Sequence, residues 1–112
     1  MAIRATVYLN ESPDHFFGYT EGDLLITAAV FDVDDAAVTA RTADGVPMAA
    51  LELIFRELNL EPTVDWSERY RADGHRSLSV GDVVVLGETA WAVASCGWNP
   101  VSLTAKQISP VT

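Results

Sequence analysis

The chain has 112 residues, 49% of them apolar and 21% charged, which bounds one domain (1–112) with a single core and excludes an extended disordered chain. A formal net charge of -9 opposes binding to DNA or RNA through phosphates, and suits a basic protein partner or mimicry of a nucleic acid's own charge. One cysteine, Cys96, permits no internal disulfide, and a cysteine-based zinc site would need ligands from elsewhere.

No stretch approaches the roughly 18 to 20 apolar residues of a membrane span, and "MAIRATVYLNE" lacks the apolar core of a signal peptide. With the lone cysteine, this leads us to expect a cytoplasmic protein with no membrane contact.

"IRATVYL" (3–9) alternates Ile3, Ala5, Val7 and Leu9 against Arg4, Thr6 and Tyr8, the period of a half-buried strand. "NESPDHFFGYTEGD" is a loop rich in turn residues that also carries Phe16, Phe17 and Tyr19, aromatics suited to a small apolar cluster or a homodimer face. "DLLITAAVFDV" (23–33) is a second strand, apolar on both faces near its middle. Val38, Ala40 and Thr42 alternate weakly and suggest a short strand. From Pro47 to Asn59 the recurrence of Met48, Leu51, Phe55 and Leu58, widened by Ile54, predicts a helix, with Asp44 as its cap.

A connection of about twenty residues follows, long for a compact domain unless it holds a turn of helix. "DWSERYRA" supplies one, with Asp65 as cap. "VVVL" and "AWAVASC" then read as strands joined by a tight turn at "GET", and "VSLTA" as a last, edge strand.

The stretch "GHRSLSVGDVVVL" (74–86) poses the functional question. Its second half reads as a turn into a buried strand: Gly81 permits a positive φ and Asp82 bonds local backbone. A strand entry does not require Arg76 or Ser77. Arg56, Arg69, Arg71 and Arg76 are four of the seven Lys and Arg residues, so with His75 the positive charge concentrates near this loop. The candidate binding set is Arg69, Tyr70, Arg71, His75, Arg76, Ser77 and Trp98, facing a protein or an anionic ligand. In the purely structural alternative, Arg76 pairs with Asp73 or Asp82 and the serines bond turn backbone.

Phe55, Asn59, Tyr70, Gly74 and the run Arg76-Ser77-Leu78-Ser79-Val80-Gly81-Asp82-Val83-Val84, followed by Val93, Gly97 and Trp98, resemble the YodL-like domain proteins. These are small intracellular proteins of plasmids, phages and conjugative elements. The resemblance spans about 47–103, and Trp91 and Trp98 stand where that family often has Tyr and Phe. It implies a mobile-element setting; the family has no established activity, so no catalytic residue carries over.

Two alternatives remain. Between Arg4 and Arg41 every charged residue is acidic, and Asp32, Asp34 and Asp35 would form the surface of a DNA mimic or an inhibitor of host defence or replication proteins. His75, Ser77 and Asp82 would furnish a small hydrolase or nuclease, although residues so close in sequence rarely reach triad geometry. No His-x-x-x-His or Cys-x-x-Cys spacing exists, so neither metal nor cofactor is expected. Cys96, beside Trp91 and Trp98, reads as a core thiol.

The expectation is an α+β fold: a bent antiparallel or mixed sheet of five or six strands, open or curled into a partly open barrel, with one main helix at 47–59. Its core should draw on Val7, Ile26, Val30, Leu51, Ile54, Phe55, Leu58, Val83, Val85, Trp91 and Val93. The functional expectation is a non-enzymatic interaction module, monomeric or homodimeric, that contacts a protein or an anionic ligand through the loop 69–79.

Overall fold

The computed structural model of the chain describes residues 2–12, 18–20, 22–34, 45–60, 64–94, 97–103 and 107–109. The order is β1 (Ala2–Asn10), β2 (Leu25–Asp34), α1 (Gly45–Asn59), α2 (Asp65–Ala72), β3 (Val83–Leu86), β4 (Thr89–Ala94), β5 (Gly97–Val101) and β6 (Ile108–Ser109). The sheet runs β5-β4-β3-β1-β2-β6. Its first five strands pair antiparallel, and the short β6 lies parallel to β2. This is the expected α+β architecture with an open sheet.

Alternation along β1 decides how the sheet is covered. Ala5, Val7 and Leu9 join Phe31, Val33, Val84 and Leu86 in a core closed by Ala50, Leu51, Ile54 and Leu58 of α1 and Tyr70 of α2. On the opposite face Leu25, Val83, Ala90 and Ala92 form a second cluster, flanked by Tyr8, Tyr19, Val85, Val101 and Leu103. Both faces are thus apolar over part of the sheet, which explains why β2 and β3 carry nearly continuous apolar runs.

Val30 is an exception to the expected core, being 54% exposed. Val7 pairs with Ala29 and Tyr8 with Thr27, so Ala28 is an extra residue in β2, a bulge that resets the alternation. Val30 pairs with Thr6 on the face that the helices do not cover. Ile26, Phe55, Val85 and Trp91 are only partly buried.

Two further boundaries differ from the sequence reading. "DWSERYRA" is a complete eight-residue helix capped by Val64, with Asp65 as its first residue and not its cap. The last hairpin strand is Gly97–Val101, not 101–105. Val93 pairs with Trp98 across it, which sets Trp98 on the face of α1, and Pro100 is tolerated because the strand is an edge. The weak strand around 38–42, the caps at Asp44, and Phe16, Phe17 and Cys96 lie outside the described residues. Among the described residues no helix is long and apolar enough to cross a membrane.

Candidate functional site

The loop from 73 to 82 is held from both ends. Helix α2 closes with the Asp73 N–H donating to Arg69 O and the Gly74 N–H to Arg71 O, at 2.9 and 3.0 Å, and Gly74 takes a φ of +82° that other residues resist. Asn59, the last residue of α1, then acts as a strand substitute for Leu78. Its Nδ2 donates to Leu78 O at 2.8 Å, and its Oδ1 accepts the Leu78 N–H at 2.7 Å. The Tyr70 hydroxyl donates to Arg76 O at 2.6 Å. Its phenol is driven above its ordinary pKa, first by burial and then by the negative charge of Asp82, while Arg76 partly opposes the shift.

Asp82 is wholly buried. Arg76 clamps it with Nη1 to Oδ2 at 2.6 Å and Nη2 to Oδ1 at 2.8 Å. The same carboxylate accepts the backbone N–H of Asn10 at 2.8 Å and that of Ser79 at 2.7 Å. Gly81, at a φ of +95°, completes the turn, and the Asp82 N–H closes it on Ser79 O at 3.0 Å. The same two nitrogens donate further, Nη2 to Asn10 O and Nη1 to Ser77 O and the Ser79 hydroxyl. Hydrogen bonding to Asp82 raises the pKa of Arg76 further above its ordinary value, so the guanidinium stays charged throughout the range in which the protein folds.

Asn10, 3% exposed, is a member of this network that sequence reasoning passed over. Its Nδ2 donates to Gly81 O at 2.9 Å and to Asp23 at 3.0 Å, while its Oδ1 accepts the Ser12 N–H at 2.8 Å. The last of these is an Asx turn, and "NES" after an alternating strand was its only sequence signal. The bonds to Gly81 and Asp82 have no local signature.

The basic residues do not form one anion patch. The Arg71 guanidinium donates to the carbonyls of Leu58 and Leu60, where it satisfies the C-terminus of α1. Arg76 is taken up by Asp82. Arg69 is exposed and lines a cavity of about 120 Å³ with Tyr70 and Asp73, beside Trp66 stacked on Phe31 at 4.2 Å. His75 is half-buried, its ring 4.9 Å from that of Tyr70, and Ser77 is exposed. Among the described residues no hydrogen bond joins His75 to Ser77 or Asp82, and no group of three His, Cys, Asp or Glu side chains gathers as metal ligands. Asp32 is exposed and lies 3.3 Å from Arg4 Nε; the side chain of Asp34 and all of Asp35 lie outside the described residues.

Trp98 has a different setting. It meets Phe55 edge-on at 6.3 Å, and together they wall an open groove of about 440 Å³ between α1, the β4–β5 hairpin and the turn at Ser79 and Val80. Val93 and Ala94 form its floor on the sheet side and Glu52 stands on its helix side. Of the seven candidate binding residues, Trp98 lines the larger of these two depressions, while Tyr70 and Arg76 build the frame of the loop beside it. No family model, curated protein or solved structure matches the chain.

Proposed function

We propose that the protein is a non-enzymatic interaction module that binds a protein partner through the Trp98 groove and the adjoining loop 73–80. The observation that carries this reading is the groove itself: an apolar depression walled by Phe55, Val93 and Trp98, with one edge set by the turn that Arg76 and Asp82 hold rigid. A half-buried tryptophan set in an apolar depression has the composition of an interaction hot spot. The wider setting, a plasmid or phage, rests on the resemblance of residues 47–103 to YodL-like proteins, and a cytoplasmic location on the single cysteine of the sequence.

In this reading Arg76 chiefly shapes the surface, because Nη1 and Nη2 both hold Asp82. Arg69 stands apart from the groove, on the cavity it lines with Tyr70 and Asp73, and so serves as the control. The test is affinity capture from a plasmid- or phage-bearing host with the wild-type protein, Trp98→Ala and Arg69→Ala as baits. A partner held by wild type and lost from Trp98→Ala supports the groove. An identical set of captured proteins on wild type and Trp98→Ala overturns it.

A further inference from the structure

The chemistry of the groove also narrows the partner, an inference that rests on the groove being the binding surface. Glu52, exposed on α1, is the one charged residue among the described residues that line it. The other polar side chain there, Ser79, has its hydroxyl 3.2 Å from Arg76 Nη1 and 3.4 Å from Asp82, so it is engaged within the protein. Specific small-molecule sites converge several polar groups on the ligand. This one offers an apolar trough and a single carboxylate, the arrangement that receives one anchoring side chain with a charged neighbour.

The sheet edge beside the groove points the same way. β5 is an edge strand, but Pro100 removes one of its backbone donors and so blunts strand addition. A partner therefore gains more by inserting a side chain than by extending the sheet. The chain's net charge of -9 favours the approach of a cationic segment and repels an acidic one.

We propose that the groove receives a large apolar side chain (Leu, Met, Phe or Trp) from a basic segment of a partner protein, with a Lys or Arg of that segment set against Glu52. Selection of a random peptide library on the immobilised full chain tests it. Calorimetry on the enriched peptides with wild type, Trp98→Ala, Glu52→Gln and Glu52→Lys then separates the contributions.

Enriched peptides are expected to pair a large apolar residue with Lys or Arg within about four positions. Their affinity should fall about 10-fold or more in Trp98→Ala and about threefold in Glu52→Gln. It should fall further in Glu52→Lys, a substitution on an exposed helix face that leaves the core untouched, and it should weaken as salt rises. Trp98-dependent peptides without basic residues, or with affinities indifferent to Glu52→Lys, would overturn the basic partner and leave the groove standing. Peptides unaffected by both Trp98→Ala and a groove-filling Ala94→Arg overturn the groove as well.

Discussion

Asp82 accepts two hydrogen bonds from Arg76 and two from backbone N–H groups without any exposed surface of its own. A buried carboxylate is tolerable only when paired and fully hydrogen-bonded, so removing one partner leaves an uncompensated charge. Arg76→Met is expected to destabilise the fold by about 3 kcal/mol, seen as a fall in Tm of about 10 °C or more. If Arg76 served only to contact a ligand, its loss would leave Tm unchanged.

Tyr70 gives a second, pH-resolved expectation. Its raised phenol pKa means that the native state holds a proton which the unfolded chain releases near pH 10. Its contribution is therefore complete below about pH 10 and declines as pH rises from there towards the native-state pKa, by up to about 1.4 kcal/mol per pH unit. Urea unfolding between pH 8 and 11 should show this decline in wild type and a shallower one in Tyr70→Phe. The same variant should lose about 1 kcal/mol at neutral pH with the bond to Arg76 O.

Between elements, the decisive joint is Asn59 with Leu78, which ties the end of α1 to the loop that follows α2. Asn59→Leu strands the Leu78 N–H and C=O and should cost about 2 kcal/mol, with faster hydrogen exchange at the Leu78 amide as the specific readout. How legible such features were in the sequence depended on range. The 3.6-residue recurrence of Leu51, Phe55 and Leu58 and the alternation of Ile3 to Leu9 are local patterns, and both elements form where those patterns lie. Gly81 and Asp82 likewise announce a turn by themselves. The exposure of Val30 was illegible because one bulge at Ala28 and the one-sided placement of the helices decide it. Asn10 was missed for a related reason, since its partners Gly81 and Asp82 lie 71 and 72 residues away. The groove was legible only in part: Trp98 stood out as an aromatic near the basic loop, but its juxtaposition with Phe55 and Glu52 requires α1 to pack against β4 and β5.

Over the whole molecule, β1 is the strand that joins everything else. It lies between β3 and β2, pairs with both, and sends the Asn10 backbone into the Arg76–Asp82 network. Residues 47–103 are therefore an incomplete folding unit. A 47–112 fragment leaves the inner edge of β3 unpaired and uncovers Leu51, Ile54 and Val84, and it is expected to show no cooperative thermal transition by circular dichroism. Adding a peptide of residues 1–34 in trans should restore one.

The position of β1 also sets a schedule for synthesis. The strand emerges first, can close a hairpin with β2 early, and then waits for β3, whose Val83 to Leu86 pair with Tyr8 to Ala5. At roughly 5 to 20 residues per second, an apolar edge bearing Ala5 and Val7 stays open for several seconds on the nascent chain. The hydrogen-bond network at Asp82 therefore forms late, after which that edge is closed to strand pairing with other chains.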